Sequence, residues 1–205
     1  KFQWKELILF AKKEKIFFLS SVFSVEAVDL LYSLGQRVFK IGSGEFFSKD
    51  ILDRIIELNG SMIISTGMSS NYEIMNLIKY LKIKKAKFAI MQCTSSYPCD
   101  FSNVNLHMID HFKKKYNCLV GYSDHTGNII APILALTKKI SFLECHVKYR
   151  ISLFNPDHSS SISLKELNFL SEFKKKFYEI EKYSKIKNKD KISKLLYKNR
   201  ILFSK

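Results

Sequence analysis

The chain has 205 residues, 46% of them hydrophobic and 26% charged, with a formal net charge of +15. That length and apolar share sustain one sizeable core, exclude an intrinsically disordered chain and leave too little for two comfortable domains. No apolar run reaches the roughly 18 residues of a membrane-spanning helix, and the four cysteines, without a CxxC pair, read as reduced thiols of a cytoplasmic protein.

In chain order, Trp4 to Lys13 is a helical pattern with Leu7, Ile8 and Ala11 on one face. Ile16 to Leu19 is the first strand-like run, followed by a helix over Val25 to Leu34. A strand over Val38 to Ile41 precedes a helix over Asp50 to Leu58. Met62 to Ile64 precedes Asn71 to Leu81, which opens on a capping-type residue and places Ile74, Leu77, Ile78 and Leu81 together. Phe88 to Cys93, a helix over Leu106 to Tyr116, Cys118 to Tyr122, a helix over Ile129 to Leu136 and Ile140 to His146 complete the alternation. Leu164 to Tyr183 is a longer helical pattern, or two. The predicted domain is residues 1–183, with 184–205 a basic C-terminal linker or tail. The excess of Lys and Arg is densest from residue 174 on, but carries no recognised nucleic-acid motif. Solvated lysine-rich helix faces are therefore preferred over a nucleic-acid interface.

Strand then helix, repeated, is the grammar of parallel α/β folds. Polar residues follow each strand: Ser20-Ser21, Ser43-Gly44-Glu45, Ser65-Thr66-Gly67, Thr94 to Tyr97, Ser123-Asp124-His125, and His146. A doubly wound sheet gathers its site at one switch point. Polar residues at six successive strand ends instead predict an incomplete (β/α)8 TIM barrel with about six of eight βα units.

Four motifs carry a resemblance: Lys40-Ile41-Gly42-Ser43-Gly44-Glu45, Ile64-Ser65-Thr66-Gly67-Met68, Cys93-Thr94-Ser95-Ser96-Tyr97-Pro98 with Asn105-Leu106, and Gly121-Tyr122-Ser123-Asp124-His125-Thr126. Glu144-x-His146 and Pro156-Asp157-His158 follow in order. Together they resemble the catalytic barrel of the sialic acid synthases, the enzymes for N-acetylneuraminate, legionaminate and pseudaminate. The resemblance implies condensation of phosphoenolpyruvate with an N-acylated amino sugar, such as N-acetylmannosamine, and phosphate release.

Binding phosphoenolpyruvate needs a cation and many donors. The resemblance assigns it Lys40, Ser43, Ser65, Ser95 and Ser123, and each serine alone reads equally as a strand-end or cap hydroxyl. It assigns the sugar to Tyr97 and Asp157, the latter otherwise a turn residue, and a divalent metal, Mn²⁺ or Mg²⁺, to His125 and His146. Two hydrogen-bonded histidines without metal are the alternative. Glu45 is the acid/base candidate, with Lys40 as catalytic cation, or else Glu45 is a salt-bridge partner of Lys40. Cys145, next to His146, is expected to point to the opposite side of its strand.

Two departures stand near these motifs. Cys145 replaces the family's usual basic residue, and Ser21-Val22-Phe23-Ser24 replaces Thr-Pro-Phe-Asp. The family plan further implies that two preceding βα units and a C-terminal antifreeze-like domain lie outside this chain. The expectation is a fragment or a reduced paralogue, weak or inactive as an isolated chain, that works as a homodimer, with another synthase chain, or as a non-catalytic binding or scaffold partner.

Overall fold

A computed structural model describes residues 2–149 and 156–183. The order is α1 (Phe2–Lys13), α2 (Val25–Ser33), β1 (Val38–Ile41), α3 (Lys49–Glu57), β2 (Ser61–Ser65), α4 (Asn71–Ile83), β3 (Lys87–Gln92), α5 (His107–Tyr116), β4 (Leu119–Asp124), α6 (Ile130–Thr137), β5 (Leu143–Lys148), β6 (Ser161–Ser163) and α7 (Leu164–Tyr183). Short 3₁₀ turns lie at Ser43–Glu45 and Phe101–Asn103. The proposed tail, 184–205, lies outside the described residues. None of the described helices is long and apolar enough to cross a membrane.

The strands form one sheet in sequence order, every neighbour parallel. In a flat sheet β1 and β5 would stand about 19 Å apart. Yet the Lys40 ammonium on β1 lies 3.5 Å from the Glu144 carboxylate on β5. The sheet is therefore curled into part of a barrel, and the incomplete (β/α)8 fold holds.

Two expectations about strands need correction. Ile16 to Leu19 is not a strand: the extended segment joins the sheet only at a parallel bridge between Ser21 and Lys40. Two backbone bonds make it, Lys40 N–H to Ser20 O at 3.1 Å and Val22 N–H to Lys40 O at 3.1 Å. The sixth strand is instead β6, which pairs His146 with Ser161 and Lys148 with Ser163. Three residues are too few for a hydrophobic period to register. The strand ending at His146 also starts later and runs on to Lys148.

The core lies between the convex face of the sheet and the helices. Phe39, Ile41, Met62, Ile64, Ile90, Val120 and Tyr122 point outward from alternate strand positions. They meet Ile55 of α3, Leu81 of α4, Phe112 of α5 and Ala135 of α6, all at most 1% exposed. Full burial of such an aliphatic or aromatic side chain contributes roughly 2 kcal/mol. Between these outward residues, the intervening positions face the concave side. Toward the N-terminal ends of the strands they line an apolar hollow of about 960 Å³, with Phe17, Leu19, Ile63, Ala89, Leu119 and Phe142 in its wall. Toward the C-terminal ends they are polar, and the candidate site lies there.

Candidate active site

Alternation along each strand sends Lys40 of β1, Ser65 of β2, Ser123 of β4, and Glu144 and His146 of β5 to the concave face. Curling then brings them together. The Lys40 ammonium donates to Ser65 Oγ at 2.7 Å and lies 3.5 Å from Glu144 Oε1. Ser123 Oγ donates to the same Glu144 oxygen at 2.7 Å. The Lys40 side chain is 8% exposed and that of Glu144 42%. A cation so buried is costly without anionic partners. Among the described residues the carboxylate paired with it stands at 3.5 Å, beyond a charge-assisted hydrogen bond, so an incoming anion would complete the shell.

The second cluster is aromatic. The ring centroids of His125 and His146 are 5.4 Å apart, and Tyr97 lies 4.2 Å from His125 and 5.8 Å from His146. His125 Nδ1 is 2.8 Å from the Thr94 carbonyl oxygen. A carbonyl only accepts, so Nδ1 carries the proton and Nε2 offers a lone pair to the cup. Nε2 accepts from the Tyr97 hydroxyl at 3.1 Å and lies 3.5 Å from Ser123 Oγ, which ties the two clusters together. Burial, the leading cause, lowers the pKa of His125, with nearby His146 adding to it and the Thr94 bond opposing. The ring is thus held neutral, the form that binds metal. His146 Nδ1 faces Asp157 Oδ2 at 3.6 Å.

A third group sits where β2 and β3 end. Ser43 Oγ accepts the Gly67 N–H at 3.1 Å and touches Cys93 Sγ at 3.4 Å. A Cβ on Gly67 would stand 2.5 Å from both Cys93 Sγ and Ser95 Oγ, so only glycine lets these loops close up. Lys40, Ser65, Ser123, Tyr97, His125, His146 and Asp157 are thus joined by successive contacts, while Ser43 and Ser95 gather around Gly67 at the ends of the neighbouring strands.

Glu45 stands apart from this network. It lies in the 3₁₀ turn with its carboxylate folded back, 3.0 Å from where a Gly42 Cβ would be. The carboxylate beside Lys40 is that of Glu144, not Glu45. Sequence reasoning gave His146 a role but none to Glu144, although the two-residue spacing of the Glu144-x-His146 motif puts both side chains on one strand face. Cys145 points away and packs against the core, where burial pushes its thiol up to about 12. Its departure from the family pattern is thus on the far side of the strand from the cup. The other departure is also structural: Val22 is fully buried and Ser24 caps α2 through Ala27 N–H at 3.2 Å.

Whether the histidines suit a divalent ion can be judged from their donors. Two neighbouring imidazoles, one with its outer nitrogen fixed by a carbonyl, fit as two ligands. Among the described residues no group of three His, Cys, Asp or Glu side chains is arranged to hold an ion. Further ligands to such an ion would have to be water or substrate oxygens.

A parallel barrel segment with a buried lysine, hydroxyls and paired imidazoles at its C-terminal mouth carries its polar groups where (β/α)8 proteins build their functional sites. The chain belongs to the NeuB family, whose model matches residues 1–187. It is 39% identical over 169 residues to N,N'-diacetyllegionaminic acid synthase of Campylobacter jejuni, covering 81% of this chain and 51% of that protein. It is 31% identical over 166 residues to human N-acetylneuraminate-9-phosphate synthase, covering 80% and 46%. The crystal structure of N-acetylneuraminic acid (sialic acid) synthetase from Leptospira borgpetersenii, in complex with citrate, superposes with a TM-score of 0.85 at 28% identity. It covers 96% of this chain and 69% of that one. The chain spans about half the length of the curated relatives it matches.

Proposed function

We propose that this cup is the catalytic centre of a nonulosonic acid synthase, which condenses phosphoenolpyruvate with an N-acylated amino sugar to a sialic-type acid. The reading rests above all on the buried Lys40 ammonium, which donates to Ser65 and is joined through Glu144 and Ser123 to the His125–His146–Tyr97 cluster. Lys40 with the hydroxyls of Ser43, Ser65, Ser95 and Ser123 would hold the phosphate and carboxylate of phosphoenolpyruvate. Tyr97 and Asp157 would orient the sugar, and His125 and His146 would hold Mn²⁺ or Mg²⁺. A divalent ion bound there supplies Lewis acidity at the sugar aldehyde oxygen.

In the reaction, C3 of phosphoenolpyruvate forms a bond to the aldehyde carbon. Water adds at C2, and the C2–O bond to phosphate breaks. Glu45 is proposed to move the protons of water addition and phosphate departure, and that role requires its carboxylate to swing from Gly42 toward the cup. Glu144 keeps Lys40 and Ser123 aligned.

The test is phosphoenolpyruvate binding to the full chain by calorimetry. Wild type is expected to bind, and Lys40→Met to bind about tenfold or more weakly, from loss of a charge-assisted contact. Equal affinity in the variant would remove the reading. Turnover with N-acetylmannosamine by the isolated chain is expected to be weak or absent.

A second reading, a non-catalytic binding partner that pairs with another synthase chain or with its own copy, is favoured by the apolar hollow of about 960 Å³ on the concave side. Stoichiometric Mn²⁺ binding with no turnover, even after mixing with a full-length synthase, would mark it.

A further inference from the structure

Asp124 belongs to no proposed substrate or metal contact, yet it is a carboxylate only 1% exposed, on the core side of β4. Outward strand positions in this sheet are otherwise apolar except for Gln92, and an unpaired carboxylate there would be strongly disfavoured. It is fully engaged. Asp124 Oδ1 accepts the Tyr122 hydroxyl at 2.8 Å, and Oδ2 accepts the Thr126 N–H at 3.1 Å and the Thr126 hydroxyl at 3.0 Å. The Thr126 hydroxyl oxygen in turn accepts the Asn128 N–H at 3.2 Å. These bonds draw the chain into a tight turn immediately after the strand.

His125 sits inside that turn, between Asp124 and Thr126. Its carbonyl accepts the Cys99 N–H at 2.9 Å, and its ring is held by Thr94 at 2.8 Å. The ring direction therefore depends on Thr94 at Nδ1 and Tyr97 at Nε2, with Cys99 holding the backbone and Asp124 the following residue. Release of the last would let the turn open and shift the ring relative to that of His146, 5.4 Å away.

We propose that Asp124 is a positioning residue, whose carboxylate locks the Tyr122–Thr126 turn so that His125 presents Nε2 to the cup beside Tyr97 and Ser123, with its ring next to that of His146. The proposal rests on the reading of His125 and His146 as metal ligands. Removal of a group that orients a metal-binding histidine lowers affinity about 10- to 100-fold.

The experiment measures Mn²⁺ binding to the full chain, thermal unfolding, and the ring ¹⁵N signals of His125. Asp124→Asn keeps the size but turns an N–H₂ group toward donors. It is expected to weaken Mn²⁺ binding at least tenfold at a temperature where the variant is still folded, and to shift the His125 ring signals. Thr126→Val, which keeps the backbone donor, is expected to fold and to show a smaller loss; it carries the test if Asp124→Asn does not fold. Unchanged Mn²⁺ affinity in a folded variant overturns the proposal and leaves Asp124 a cap of the turn. Absence of Mn²⁺ binding by wild type removes the metal reading instead. In that case unchanged His125 ring signals in the variant overturn the positioning role, and altered signals support it.

Discussion

At the scale of single residues, the site is governed by close approach and by burial. Gly67 illustrates the first. Any side chain there meets Cys93 Sγ, Ser95 Oγ and the Ser95 nitrogen, the last at 3.0 Å. Gly67→Ala is expected to destabilise the fold by about 1–3 kcal/mol and to displace Ser95, both readable from urea unfolding and phosphoenolpyruvate titration. His125 illustrates the second. Its folded pKa lies below the ordinary imidazole value, chiefly through burial. Between that depressed value and about 6.5 the unfolded chain binds more protons, so stability rises with pH there. The contribution is full above about pH 6.5 and is lost as pH falls through the folded value. Urea midpoints at pH 7 and pH 5 should therefore differ less in His125→Asn than in wild type.

At the scale of elements, the links between helices and strands share one design. After α1, α2, α3 and α4 the chain turns through a left-handed residue: Lys15, Gly35, Asn59 and Lys85. In each turn a backbone N–H reaches back over the helix end. Ile16 bonds to Ala11, Gln36 to Leu31, Gly60 to Ile55 and Ala86 to Leu81, at 2.8–3.0 Å. That is the Schellman arrangement, which favours glycine at the left-handed position. Lys85 is exposed, with φ of 54°, so Lys85→Gly is expected to stabilise the chain by about 1 kcal/mol in urea unfolding. Starts are specified as clearly as stops. Ser70 and Glu73 exchange bonds at the head of α4, and Ser163 and Glu166 do the same at the head of α7.

At the scale of the whole molecule, the concave face is divided. The half toward the strand C-termini carries the polar cup, and the other half is an apolar hollow. A parallel sheet is ordinarily covered on both faces. Phe17 and Leu119, at the hollow, are 69% and 57% exposed. Such a patch is expected to bind the dye ANS, with a clear rise in fluorescence. The double variant Phe17→Ser/Leu119→Ser should lose most of that signal with little change in unfolding midpoint, because neither side chain is deeply buried. Retention of full dye binding would place the apolar surface elsewhere.

The sequence by itself determined most of the alternation of strands and helices, the turning of Cys145 away from the side of His146, and the polar residues at the strand ends. These are local properties, written in periods of two and of about 3.6 residues and in short motifs such as Ser123-Asp124-His125. It did not determine which strand ends would touch. The pairing of Lys40 with Glu144, the facing of His125 and His146, the burial of Asp124 and the addition of β6 depend on how far the sheet curls. Curl is the sum of twist and packing over all strands, so only the tertiary structure decided it. The same cause explains why Ile16 to Leu19 has the composition of a strand without being one: a strand exists only where a neighbour accepts its hydrogen bonds.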